Sequence, residues 1–282
     1  MKWMIVTDSS CDLTGLDTGS ADISYESVPF VLNIDNRDFV DDLSLSVSDM
    51  VDAMEASSAS HSACPSPNAW EEKFQQAEQV IAMTISGRLS GSYNSAMVGK
   101  AMALEKHPEK KIEVIDSLST GPKLVLLVQH ALRLIQEQVS FEKICASCRE
   151  LASSGRTIFT LSSFHNLVQN GRVSKIAGFL AGKLGIRVIG VGSPEGEIQL
   201  KELMRGEQRT LKKILKDMEE NGYAGGKMAI SHCLNLPMAE MLKSMILSRW
   251  QNAEIELLPT RGLDSYYAER SGLIICYPAF AG

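Results

Sequence analysis

Between residues 2 and 138 the chain alternates short apolar runs with segments of helical periodicity, and few folds absorb that pattern. "KWMIVTD" (2–8), "SYESVPFVLNI" (24–34), "QVIAMTIS" (79–86) and "KIEVIDS" (111–117) read as strands. "SLSVSDMVDAMEAS" (44–57), "SYNSAMVGKAMALEK" (92–106) and "PKLVLLVQHALRLIQEQ" (122–138) read as helices. The spacing in the second helix predicts a buried face of Tyr93, Ala96, Met97, Ala101 and Leu104. Strands that alternate with helices pair in parallel, under helices on both faces. Ligands of such sheets bind beyond the carboxyl ends of the strands. Three loops emerge there: "TDSSCD" (7–12), "SGRLSGS" (86–92) and "DSLSTG" (116–121).

The second half differs. "ASSGRT" (152–157) reads as a linker, followed by strands "TIFTLSS", "IRVIGVG", "EIQLKELM", "KMAISH", "IELLP" and "GLIICY". Ser193 to Gly196 forms a hairpin turn, and helices fall at 206–220 and 236–250. The expected architecture is therefore two-domain α/β. A mostly parallel N-terminal sheet with helices on both faces spans 1–153, and a C-terminal α/β domain with a mixed sheet spans 154–282. Charge agrees with the division. Residues 1–153 hold 12 Lys+Arg against 22 Asp+Glu, whereas residues 154–282 hold 16 against 12.

Several functions are excluded on composition or spacing. The mild basic excess of the second half lacks the clustered stripe of a nucleic-acid binder. The longest apolar stretch, near Leu124–Val128, is too short to cross a membrane, and "MKWMIVTDSS" lacks the features of a signal peptide. Six cysteines in 282 residues fit reduced thiols, which predicts a cytoplasmic protein. Cys145 and Cys148 form a lone C-x-x-C inside a helical stretch and read as helix residues, not a metal site. The acidic "DNRDFVDD" (35–42) lacks the glycine and terminal glutamate of a calcium loop and reads as a solvated hairpin or loop. Arg88 stands where a G-x-S-x-G elbow around Ser90 needs glycine. "GFLAGKL" (178–184) spaces its glycines too closely for a P-loop and follows Lys183 with leucine, and "GVGSPEG" (190–196) misses the dinucleotide fingerprint by one residue.

Small hydroxyl residues remain, gathered on strand-end loops. "HSACPSP" (61–67) adds Ser62 and Ser66 to Asp8, Ser9, Ser90, Ser92 and Ser119. Helix capping explains any one of these serines. Together they form a rim poor in cations and general bases, suited to a single anion such as a carboxylate.

These residues resemble the DegV family of bacterial fatty-acid-binding proteins. "TDSSCDL" (7–13) is similar to the family's T-D-S-x-x-D-L, and "SACPSP" (62–67) to T-S-Q-P-S-P, with Ser62 for Thr. "LSGSYNSA" (89–96) is similar to L-S-G-T-Y-x-S-A. "NGRVSKIAGFLAGKLGIRVI" (170–189) resembles the G-G-R-I-S-K…I-K-P-I segment, and "LMRG" (203–206) resembles K-V-R-G. The resemblance implies one long-chain fatty acid, such as palmitate, enclosed between two domains without a cofactor or metal. Its carboxylate would be held by Ser62 and Ser90, with the Gly91 amide adjacent and Ser9 and Ser92 on the rim. It further implies hand-off to a fatty-acid kinase subunit through Arg172 and Arg205. Many family members carry T-H-T-G-P-G near the C-terminus, whose histidine reaches the carboxylate. Here the run is "TRGLDSYYAERSGLIICY" (260–277), which places Arg261 or Ser265 at that position, depending on the direction of counting. The reading is a non-enzymatic lipid carrier. The alternatives are an enzyme using the serine rim for acyl or phosphoryl transfer, and a lipid-responsive sensor.

Overall fold

The computed structural model describes residues 2–173 and 185–278, so "GFLAGKL" and part of the 170–189 segment lie outside the described residues. The strands are β1 (Trp3–Asp8), β2 (Ile23–Val28), β3 (Val31–Ile34), β4 (Arg37–Val40), β5 (Ser60–Ala63), β6 (Gln79–Thr84), β7 (Lys111–Asp116), β8 (Arg156–Leu161), β9 (Ile186–Gly192), β10 (Ile198–Arg205), β11 (Gly226–His232), β12 (Ala253–Pro259) and β13 (Leu273–Tyr277). The helices are α1 (Val47–Ala56), α2 (Pro67–Phe74), α3 (Ser92–Lys106), α4 (Pro122–Gln136), α5 (Phe141–Ser154), α6 (His165–Gln169), α7 (Glu207–Glu220), α8 (Leu236–Arg249) and α9 (Gly262–Ala268). Among the described residues no helix is long and apolar enough to cross a membrane.

The first sheet has the order β2-β1-β6-β7, with every pairing parallel. Its strands bury both faces, and their side chains alternate between two cores. Met4, Val6, Val80 and Ala82 pack with Trp70 and Phe74 of α2 and Ala96 and Ala103 of α3. Ile5, Ile81, Met83 and Ile115 pack on the opposite face with Leu124, Leu127 and Val128 of α4 and Ile144 of α5. Full burial of each large apolar side chain contributes roughly 1.5–3 kcal/mol. Cys145 and Cys148 belong to this second core, where burial pushes both thiols up to about 12. They are packing residues.

The second sheet has the order β10-β9-β8-β13-β11-β12, antiparallel except for the β11–β12 pair. Ile158, Ile189, Ile230 and Ile275 face α7 and α8, meeting Leu211, Ile214, Leu242 and Ile246. Phe159, Leu161, Val188 and Ile274 face the other way. They share a core with Leu32 of β3, Met50 of α1 and Leu263 and Tyr266 of α9. A third, antiparallel sheet of order β4-β3-β5 closes this side. The fold is a two-domain α/β architecture.

Three elements depart from the sequence expectation. "SYESVPFVLNI" is not one strand: Pro29 cannot donate to a ladder, so the chain breaks between β2 and β3, which join different sheets. The buried face of α3 is Ser92, Ala96, Gly99 and Ala103, whereas Met97 is 39% exposed and Ala101 is exposed. Close packing on α2 selects that face. A Cβ on Gly99 would lie 2.7 Å from the Pro67 carbonyl oxygen and 2.8 Å from the Trp70 Cβ. The run 35–42 is mainly the β3–β4 hairpin, turned by Asp35 and Asn36 at φ 46° and 64°, but its Asp41 is fully buried.

Candidate functional site

The loops after β1, β6 and β7 meet at one edge of the parallel sheet: buried Asp8 ties the first two, and the Ser86 amide on the Ser119 carbonyl and the Gly121 amide on the Ser10 carbonyl, each at 2.8 Å, join the third. The Asp8 carboxylate accepts from Ser10 Oγ at 2.5 Å, the Ile85 amide at 3.0 Å and Ser92 Oγ at 2.6 Å. Burial raises the Asp8 carboxyl above its ordinary range, and these donors pull it back. The knot sets the start of α3, whose N-terminal residue Gly91 supplies no side-chain cap. The positive end of this 15-residue helix therefore faces the adjoining loop with its backbone amides.

β5 brings Ser62 to the same place from the third sheet. Ser62 and Ser90 line one cavity together with Thr120, Arg172, Asp264 and Tyr267. The Ser62 hydroxyl bonds the Tyr267 hydroxyl at 2.8 Å, and Ser90 Oγ accepts from the Ser92 amide at 3.2 Å. Arg172 donates from Nε to the Leu89 carbonyl at 3.2 Å and from Nη1 to the Asn170 carbonyl.

Leu89, Thr120, Leu167, Ile198, Asp264 and Tyr267 also border a second, adjoining space. Apolar groups dominate its far walls, notably Phe159, Leu161, Ala268 and Ile274. Gly192 and Gly196 of the β9–β10 hairpin form part of its lining, and the Gly196 carbonyl accepts from Ser86 Oγ at 2.7 Å. Both spaces are largely apolar, and the Ser62 and Ser90 hydroxyls stand in the first of them. No histidine, lysine or cysteine lies among their described lining residues. Among the described residues no His, Cys, Asp and Glu group could hold a metal ion.

Of the other rim residues, Ser119 lines the second cavity, whereas Ser9 and Ser92 border neither. Ser92 donates to Asp8, Ser9 Oγ accepts from the Phe30 amide at 3.0 Å, and Ser119 Oγ bonds Thr157 Oγ1 at 2.7 Å. Gly91 borders a neighbouring polar cleft with Arg88 and Arg172. Ser265 Oγ bonds Thr260 Oγ1 at 2.6 Å. Arg261 reaches the Asp41 carbonyl at 2.7 Å and the Ser27 hydroxyl at 2.9 Å. Neither Ser265 nor Arg261 borders the two cavities. Arg205 is exposed at the end of β10.

Thr120, Asp264 and Tyr267 are the wall residues that sequence reasoning missed. Asp264 and Tyr267 sit on α9, a seven-residue helix whose start is held by Asp41 accepting the Gly262 and Leu263 amides, each at 2.8 Å. Burial raises the Asp41 carboxyl, and neighbouring Arg261 lowers it. Asp264 is raised well above the usual range, first by burial and then by the charge of Asp12.

Known proteins share this architecture. A family model described as "Uncharacterised protein, DegV family" matches residues 2–268. A DegV domain-containing protein from Streptococcus pyogenes is 40% identical over 278 residues, covering 98% of this chain and 99% of the relative. The crystal structure of the Streptococcus pneumoniae Fatty Acid Kinase (Fak) B3 protein, loaded with linoleic acid, is 38% identical with a TM-score of 0.96. It covers 99% of this chain and 100% of its own. A DegV family protein from Eubacterium eligens, loaded with heptadecanoic acid, is 36% identical with a TM-score of 0.93, covering 98% and 99%. By the extent of the family match and the identity to its relatives, the chain belongs to the DegV family.

Proposed function

We propose that this protein binds one long-chain fatty acid, such as palmitate, between its two domains and presents it to a fatty-acid kinase. The observation that carries the reading is a pair of adjoining pockets with a shared wall: hydroxyls of Ser62 and Ser90 line one, and Phe159, Leu161 and Ile274 line the other. A single-chain amphiphile matches that division. Burying about 15 methylenes at roughly 0.8 kcal/mol each gives about 12 kcal/mol before ordering costs. The polar end then sets orientation. In this reading residues 1–153 and 154–282 are the two domains. Six unpaired cysteines fit a reducing cytoplasm.

The structures of relatives holding linoleic and heptadecanoic acids support the same ligand class here. The naming of the Streptococcus pneumoniae relative supports a kinase partner. The relatives whose structures hold fatty acids support a carrier here.

Titration tests the clamp. Ser62→Ala and Ser90→Ala should each weaken palmitate binding by about 1.5–3 kcal/mol, because each removes a donor to a charged group. The double variant should fall short of the sum if both hydroxyls grip one carboxylate. Methyl palmitate should bind far more weakly than palmitate. Equal affinities for acid and ester would mean that the head group does not reach the hydroxyls.

Hand-off is tested separately. Arg205 is exposed and outside both cavities, so Arg205→Ala should leave palmitate affinity unchanged. It should slow acyl-phosphate formation when kinase and ATP are added, through a weaker encounter. An unchanged rate would remove Arg205 from the docking face.

A further inference from the structure

The wall shared by the two cavities contains an incompletely satisfied acid. Asp264 Oδ1 accepts from Thr120 Oγ1 at 2.5 Å, but its Oδ2 is buried without a hydrogen-bond partner. Asp12, in the loop after β1, repeats the arrangement. Its Oδ1 accepts from the Arg261 amide at 2.8 Å, and its Oδ2 is likewise buried and unpartnered. Both free oxygens lie within 2.8 Å of the point where a Cβ on Gly121 would sit. They therefore converge beside a bare glycine, held at φ 56°. Two buried acceptors side by side are costly, and the buried Ser231 hydroxyl, a donor close enough to lower Asp12, completes no hydrogen bond to it. The two oxygens are at most about 5.3 Å apart, close enough for each charge to disfavour the other, and a proton on either one relieves that repulsion.

We infer that Asp12 and Asp264 hold one proton between their Oδ2 atoms, and that this proton lets a wall of carboxyl groups accept an anionic head group. Asp264 is thereby a positioning and charge-matching residue for the ligand. The identity of that ligand rests on the fatty-acid reading above, while the shared proton does not. The surrounding charges leave the pair few other solutions. Asp8, at the end of β1, is occupied by Ser10, Ile85 and Ser92. Asp41, after β4, holds the start of α9 and lies 3.8 Å from the Arg261 guanidinium. Arg172 and Glu197 border the cavities from the other side. Burial is the largest cause raising both members of the pair, lifting Asp12 to about 7 and Asp264 well above the carboxylate range. Without the proton, a bound carboxylate would face a second negative charge across a dry wall and would have to draw a proton from water on binding.

Infrared spectroscopy of the full chain near neutral pH tests the proton directly. The wild type should show the carbonyl stretch of a protonated carboxylic acid, and both Asp12→Asn and Asp264→Asn should lose it. In each variant the new amide donates to the remaining carboxylate. Absence of the band in wild type, or its persistence in both variants, overturns the shared proton. Calorimetry with palmitate in buffers of different ionisation heat tests its role, and near neutral pH binding should take up no net proton. Uptake of one proton overturns the charge-matching role. Asp264→Ala should weaken palmitate binding by about tenfold or more, and Asp264→Asn should recover most of it. Equal losses in two folded variants overturn that role as well. A wild type that shows the band but binds no palmitate overturns the ligand and leaves the proton standing.

Discussion

Gly192→Leu should abolish tight binding of long-chain fatty acids while leaving the fold intact. Gly192 lies in β9 on the wall of the second cavity, and a Cβ there would meet the Thr157 Cβ at 3.5 Å, an ordinary contact. No positive φ is required at this position. The backbone therefore accepts a side chain, and the cavity is the space into which it can grow. A leucine displaces about four methylene-sized groups of ligand, at roughly 0.8 kcal/mol each, or about 3 kcal/mol in total. Palmitate should therefore bind about a hundredfold more weakly, whereas acids several carbons shorter should lose far less. Chemical denaturation should give a midpoint close to that of the wild type. Undiminished palmitate affinity in this variant would show that the acyl chain lies elsewhere.

Gly99→Val should have the opposite character, with stability failing first. The Cβ of any residue at 99 would press on the Pro67 carbonyl and the Trp70 Cβ, and 3.1 Å away lies the Glu71 backbone nitrogen. These are α2 groups that cannot swing aside, so the helices must separate. Overpacking a tight contact costs about 1–3 kcal/mol, and β-branching in a helix adds to the loss. Trp70 and Phe74, fully buried on α2, would lose part of their packing against the sheet. Because α3 also fixes Ser90 and Gly91 at its N-terminus, fatty-acid affinity should fall along with stability. A urea denaturation series with palmitate titration checks both. Wild-type stability would show that α2 and α3 adjust more freely than their packing implies.

The same glycine shows where sequence reading reached its limit. Periodicity located α3 and placed Ala96, Tyr93 and Leu104 on the core side, but it included exposed Met97 and Ala101 and missed Gly99, because hydrophobicity ranked Met97 above glycine. The helix instead turns its smallest residues inward, where α2 approaches most closely. The parallel sheet was legible because continuous apolar strands alternated with amphipathic helices. The mixed sheet was legible from its short runs and the Ser193–Gly196 turn. The break at Pro29 carried a signal that the long apolar run masked.

The site was legible in part for a similar reason. Ser62 and Ser90 could be singled out because hydroxyls clustered in loops at strand ends and matched family motifs, and both line one cavity. Nothing in the local sequence distinguished them from Ser9 and Ser92, whose hydroxyls bond Phe30 and Asp8. That distinction depends on side-chain direction in the folded chain. Asp264 was invisible for a different reason. It sits in a helix too short for periodicity to register, and its chemistry depends on Asp12, 252 positions away in the chain. A pair brought together only by the fold leaves no spacing to read.

Native mass spectrometry of the protein purified without added lipid tests the central claim most directly. The account predicts a species heavier than the bare chain by one long-chain fatty acid, released as the free acid on denaturation and missing from Gly192→Leu. A wild-type chain that carries no such adduct and takes up no palmitate on titration would contradict it.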